Sequence, residues 1–391
     1  MTIECRHCHA LHWAAERVKS SPEARPSFGR CCKHGKVALP RMPAPPHHLL
    51  HLFTDQDLRG RDFRHNVRQY NAALAFTSLG VRIDDSINTS GSAPYIFKIG
   101  GELCHRMGAL LPSEGNQPRY TQLYIYDPRD ALDARMARND NLSAATMRIL
   151  QRTLLLCNPY TRIYRHAADV LTHSSQAPDV HLTLSVDAQQ DPHRYNLPTA
   201  DELAAILPAS NAQASDGRDI VVYLRDGRLR RINDCSPAYA PLHYVLFFPF
   251  GTPGWSWDMQ LLQPDESGSR RLTQCMFYSH QLHYRSSELS LLFYGGRLFQ
   301  QYIVDVWATT DQNRLRWLEN NQKQIRAELY SGLQDLVADE SPDLNSVGKR
   351  LILPSSHVGS PRYMHQCFQD AMALARYFRR IDFFITVTCN P

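Results

Sequence analysis

Four cysteines stand near the start of the chain, as Cys5-Arg6-His7-Cys8 and Cys31-Cys32, and a proline-dense run, Pro40-Arg41-Met42-Pro43-Ala44-Pro45-Pro46, closes the segment behind them. A segment this short buries too little apolar surface to order itself. A structural zinc ion would make up the deficit, since it takes four thiolate or imidazole ligands in a tetrahedron and a Cys-x-x-Cys pair offers two sulfurs from one tight turn. Cys5 and Cys8 have that spacing. The other half is less regular, because adjacent cysteines point to opposite sides of an extended chain. His34 therefore competes with Cys31 and Cys32, and His7, His9 and His12 are further competitors. The bland alternative is a small cluster of reduced thiols. Cysteine spacing in a basic, proline-bounded segment favours zinc.

The charge is uneven in the same direction. Residues 1–65 hold eleven Lys and Arg against six Asp and Glu, with eight histidines, whereas the remaining chain balances at thirty-two of each sign. A nucleic-acid-binding face is thus expected at the amino end. An apolar content of 43% in 391 residues is enough for two or three folded domains. No run approaches the roughly eighteen apolar residues of a membrane span, and Met1-Thr2-Ile3-Glu4-Cys5 has no signal-peptide character. An intracellular protein without membrane contact is expected. The scattered Cys104, Cys157, Cys235 and Cys275 read as free thiols of a reducing compartment.

Patterning predicts an α+β protein: a zinc-bearing module over 1–40, a region of sheet and helices over 41–207, and a part with long helices over 218–391. Linkers are expected at Pro40–Pro46 and Leu207–Gly217. A short helix is predicted over Leu49–Leu58, and Asn66–Ala75 leads into the first strand. Strands are predicted over Phe76–Ile83, Tyr95–Ile99 and Tyr120–Tyr126. Met147, Leu150 and Leu154 have helical spacing after a Ser143 cap and before Asn158-Pro159. Thr199-Ala200-Asp201-Glu202 has the capping-box pattern ahead of Leu203, Ile206 and Leu207. Ile220–Leu224 and Leu229–Ile232, joined through Arg225-Asp226-Gly227, read as a hairpin. Leu315 to Leu336 and Met364 to Phe378 carry helical apolar faces, and Phe383 to Thr388 is a strand that should lead into more protein.

Several motifs appear in one order: Phe63-Arg64-His65-Asn66-Val67-Arg68-Gln69-Tyr70-Asn71, Asp191-Pro192-His193-Arg194-Tyr195-Asn196-Leu197-Pro198, Pro241-Leu242-His243-Tyr244-Val245-Leu246-Phe247-Phe248-Pro249-Phe250-Gly251, and Gly295-Gly296-Arg297-Leu298-Phe299-Gln300-Gln301-Tyr302-Ile303-Val304-Asp305. With Gly359 to Gln366 and the helix after it, the series resembles the amino-terminal region of Helitron transposon proteins. The resemblance implies cysteine positions matching Cys5, Cys8, Cys31 and Cys32. It also implies DNA as partner, single-stranded or bound without sequence preference, and a nuclear location. That family joins a HUH endonuclease to an ATP-dependent helicase, and the resemblance makes Phe383 to Thr388 the first strand of the nuclease, so the chain reads as truncated. Self-association through that strand is expected.

The residues carry neither chemistry. The one His-x-His, His7-Cys8-His9, has an expected zinc ligand at its centre and no apolar strand around it. Gly348-Lys349-Arg350 lacks the upstream glycine and following hydroxyl of a phosphate loop. No catalytic residue is assigned. Arg314, Arg316, Lys323 and Arg326 with Trp307 and Trp317 could stack on single strands, but acids interleave them and a solvated helix is the better reading.

Overall fold

The computed structural model describes residues 1–80, 82–84, 97–100, 103–108, 117–165, 180–184, 204–208, 220–223, 230–322 and 353–379. By compactness the chain divides into Met1–Thr310 and Asp311–Pro391. Helices and short antiparallel strands together give the α+β composition read from the sequence. No described helix is long and apolar enough to cross a membrane.

In the first unit the amino-terminal segment pairs β1 (Ile3–Glu4) with β2 (Leu11–His12). After the proline run come α1 (His47–Thr54), α2 (Leu58–His65) and α3 (Val67–Leu74). The Asp57 carboxylate caps α2 by accepting from the Gly60 amide at 2.6 Å. These helices bury Leu49, Phe53, Phe63, Tyr70 and Leu74 against the Tyr244–Phe248 run, which is buried throughout. That aromatic block is core, as its lack of charge predicts.

Strand β3 (Ser78–Leu79) follows, and β4 (Arg82–Asp84) pairs with β5 (Lys98–Gly100). Strand β6 (His105–Met107) lies between β3 and β10 (Arg230–Arg231). Tyr120–Tyr126 is not the strand that its alternation suggests: Tyr120–Tyr124 is a 3-10 turn. Tertiary anchors decide it, since the Thr121 hydroxyl donates to the Phe76 carbonyl at 2.6 Å and the Tyr124 hydroxyl to that of Leu74. Both aromatic and hydroxyl side chains thereby turn onto the end of α3, which an extended strand with alternating faces would not allow.

Beyond it, α4 (Pro128–Met136) packs on α5 (Ala144–Cys157). Helix α5 starts at the Ser143 cap and stops before Pro159, as read from the sequence. It buries Met147, Leu150 and Leu154, each stabilising by about 1.5–3 kcal/mol. A separate sheet has β7 (Val180–Leu184) between β8 (Ala204–Pro208) and β9 (Ile220–Tyr223). Two expectations change here. The helix expected after Thr199 is a strand from Ala204, because pairing with β7 overrides helical spacing, and it extends into the expected linker. Among the described residues no hairpin pairing joins the two runs: β9 pairs with β7 while β10 pairs with β6, so they enter different sheets. The Thr199–Glu202 box and the Arg225–Gly227 turn lie outside the described residues.

The unit closes with α6 (Tyr239–His243), α7 (Gln274–Gln281) and the start of α8 (Gly296–Asn320). Gly295 and Gly296 have separate reasons. A Cβ at Gly295 would stand 2.3 Å from the Phe247 ring, and Gly296 has φ +48°. In the second unit α9 (Pro361–Phe378) is capped by Ser360, whose hydroxyl accepts from the Tyr363 amide at 3.1 Å. Its predicted apolar face exists, but Met364, Phe368, Met372 and Phe378 are exposed rather than covered. The helical pattern expected from Ile325 to Leu336 and the strand from Phe383 lie outside the described residues.

Candidate metal centre and buried polar core

The first site is built from two tight turns. After Cys5 the chain doubles back, with the His9 amide donating to the Cys5 carbonyl at 2.9 Å and His9 itself at φ +57°. After Cys32 three consecutive residues, Lys33, His34 and Gly35, are left-handed. This second turn explains how adjacent cysteines serve one site: the segment is not extended, and the Gly35 amide donates to the Cys32 sulfur at 3.2 Å. The sulfurs of Cys5, Cys8, Cys31 and Cys32 all lie within 4.8 Å of one another. Tetrahedral Zn–S bonds of about 2.3 Å place sulfurs about 3.8 Å apart. Cys5 and Cys32 are 3.7 Å apart, and Cys31 and Cys32 3.8 Å.

The four cysteines can therefore hold a metal ion, and an all-thiolate donor set suits a soft tetrahedral cation. Hydrogen bonds from Cys31 and Cys32 bring the Cys8 thiol down to about 6, while contact with Cys32, Cys5 and Cys8 pushes Cys31 up. His34 lies outside this group, with its ring on the Ser27 hydroxyl at 3.0 Å. His7 packs on Gly35, and His12 bonds Glu16 at 2.7 Å. The Arg285 guanidinium, missed in the sequence, donates to the Cys8 carbonyl at 2.9 Å and to the His280 carbonyl at 2.9 Å. Together with the Leu11 amide on the Tyr284 carbonyl, it holds the cysteine turns on the segment after α7.

The second site is a buried polar core. Asp305 on α8 is 1% exposed, and its carboxylate accepts from His105 at 2.7 Å, Tyr244 at 2.6 Å and Tyr239 at 3.1 Å. Burial alone would raise its acid, but the facing His105 and the hydrogen bonds from His105 and Tyr244 outweigh burial and hold it below the ordinary carboxylate value. His105 has its other ring nitrogen on the Tyr239 carbonyl at 3.1 Å.

His243 stacks on His105 with ring centres 4.4 Å apart, and burial brings it down to about 3, with His105 adding to the effect. A neutral His243 donates from Nδ1 to Thr77 and accepts at Nε2 from the Gln301 amide at 3.4 Å. Gln301 Oε1 in turn accepts from Arg68 Nε at 3.0 Å. A chain of polar contacts therefore runs from Thr77 through His243 and Gln301 to Arg68. Asn71 fixes the loop between, donating to the His243 carbonyl at 2.8 Å.

Three motifs singled out in the sequence, around Arg68, His243 and Gln301, meet here. Residues 277–391 match the family model described as the Helitron helicase-like domain at N-terminus. The chain carries a Helitron helicase-like segment. No curated protein matches the chain. The Helitron-like segment begins within α7 and supplies Gln301, Tyr302 and Asp305, while His105, His243, Arg68 and the four cysteines precede it. His243, Gln301 and Asp305 stand in sequence motifs that by themselves indicate no chemistry. Nothing in the sequence marked His105, whose partner is 200 residues away. Of the remaining candidates, Trp307 and Trp317 are exposed on α8, and His47 and His51 touch each other at 3.0 Å on the surface of α1.

Proposed function

We propose that this chain is the DNA-engaging and scaffolding part of a Helitron-type transposon protein, with a structural zinc on Cys5, Cys8, Cys31 and Cys32 and no catalysis of its own. The observation that carries it is the four-cysteine cluster inside a basic segment of a chain whose end matches the Helitron helicase-like domain. Arg6, Lys19, Arg25, Arg30 and Arg41 of that segment are exposed, which supports electrostatic contact with phosphates. A DNA-engaging role in a transposon protein supports a nuclear location. The zinc would be structural: four protein ligands leave no open position for substrate or water.

Anisotropy with labelled single and double strands tests the reading. Binding should fall steeply with salt and show little sequence preference, and full-length protein with manganese or ATP should neither nick DNA nor release phosphate. Absence of salt-dependent binding sinks the DNA role, and a covalent protein–DNA adduct sinks the non-catalytic one. A second reading, an interaction module of a degenerate element, is favoured by the exposed Met364, Phe368, Met372 and Phe378 on α9. Concentration-dependent self-association with no DNA affinity would select it.

A further inference from the structure

Helix α1 carries His47 and His51 four residues apart, so both rings stand on one face. The opposite face is pinned in the core by Leu49, Leu52 and Phe53, which leaves a fixed platform under two exposed imidazoles. Their Nε2 atoms lie 3.0 Å apart, with ring centres at 4.1 Å and planes at 68°. The other nitrogen of His51, Nδ1, is on the two oxygens of Asp55 at 2.9 and 3.0 Å. Asp55 is itself fixed, because its amide donates to the His51 carbonyl at 2.8 Å where the helix ends. A neutral ring that donates from Nδ1 to a carboxylate has its lone pair on Nε2, and this is how a ligating histidine is held. Two imidazoles bound to one cation at about 2.0–2.1 Å have their nitrogens about 3.0–3.4 Å apart, from octahedral to tetrahedral geometry. The pair on α1 has that separation. A proton on Nε2 of His47 accounts for the contact as a hydrogen bond, and a cation can take its place once His47 carries that proton on Nδ1 instead. The same His-x-x-x-His spacing on a helix serves zinc hydrolases, but the residue after the first histidine is His48 here, so it comes without their glutamate base. The pair faces a cavity of about 260 Å³ whose lining includes Asp55 and Asp57 against the guanidinium of Arg59. Two carboxylates to one guanidinium suit a cation, and the space admits the water that completes its shell.

We infer that His47 and His51 bind one divalent first-row transition cation of the class that prefers imidazole, nickel, copper or zinc, with Asp55 holding the ring of His51 from behind. The site shares no ligand with the cluster of Cys5, Cys8, Cys31 and Cys32 and does not depend on the DNA-engaging reading. Two protein ligands leave positions open, so the cation on α1 is exchangeable and can take a donor from outside, unlike one closed in by four thiolates.

Tag-free full-length protein is titrated calorimetrically with nickel chloride. Wild type should bind one Ni²⁺ more than either His47→Ala or His51→Ala binds. Both side chains are exposed, so their replacement reads binding rather than folding. Asp55→Asn should weaken that ion about tenfold, the loss expected when a ligand's supporting carboxylate is removed. His48→Ala should bind as wild type does, since the His48 ring stands edge-on to His47 with centres 6.2 Å apart and makes no nitrogen contact with the pair. Because the two rings converge only on the folded helix, Ni²⁺ should raise the melting temperature of wild type and His48→Ala and leave those of His47→Ala and His51→Ala unchanged. Equal number and affinity of Ni²⁺ in wild type and His51→Ala overturns the inference. Equal loss in His48→Ala overturns it too, because the ligands would then lie elsewhere on the helix. Wild-type affinity in Asp55→Asn overturns the role given to that carboxylate.

Discussion

His105 and Asp305, 200 residues apart in sequence, meet at 2.7 Å with side chains 0% and 1% exposed. The contact joins the central strand of the β3–β6–β10 sheet to α8, and two tyrosine hydroxyls complete the carboxylate's shell. Such a pair stabilises less than its short contact suggests, because taking the partners out of water costs much of what the contact returns. Breaking it is what is expensive.

Asp305→Asn should therefore destabilise the first unit by about 3–5 kcal/mol, since it leaves His105 and two hydroxyls facing a weaker acceptor. Combining it with His105→Gln should cost clearly less than the two single losses added together. Urea unfolding followed by tryptophan fluorescence measures both; additive losses would mean the two side chains act separately.

Acid should destabilise the fold through His243. Its ordinary value is 6.5 and its folded value about 3, so between those the unfolded chain binds the extra proton and stability falls as pH falls. A fully displaced group contributes about 1.4 kcal/mol per pH unit in that window. Asp305 acts in the same sense lower down, because its depressed acid gives stability that is lost as pH falls through the folded value. Unfolding midpoints at about pH 7 and about pH 4.5 should differ markedly in wild type and less in His243→Gln. Equal pH dependence in the two proteins would remove His243 as the cause.

Purified protein should carry about one zinc per chain, and a strong chelator should lower its melting temperature. Replacing Cys5 and Cys8 together by Ser should abolish the metal, whereas His34→Ala should leave it, since His34 bonds Ser27 rather than joining the cluster. Elemental analysis decides this, and zinc loss in His34→Ala would move the ligand set.

Gly295→Ala should cost about 1–3 kcal/mol as overpacking, because the new methyl meets the Phe247 ring. Gly296→Ala meets nothing within 4 Å and should cost only about 1–2 kcal/mol from its positive φ. Thermal melts of the two variants rank them; the reverse order would show that the Phe247 ring yields easily.

The sequence by itself determined what depends on short separations. Ser143 and Pro159 bound α5, and the four cysteines announce their cluster, because caps, proline stops and Cys-x-x-Cys turns are decided within a few residues. It also carried the Helitron resemblance that the match over residues 277–391 supports. Tertiary structure decided the rest. Tyr120–Tyr124 turned into a 3-10 segment because Thr121 and Tyr124 reach the end of α3, and β9 and β10 separated because their partners are β7 and β6. The same holds for the polar core: His105, His243, Gln301 and Asp305 acquire chemistry only through neighbours brought from distant segments, since burial and facing groups, not the residue types, set the directions in which His243 and Asp305 are shifted.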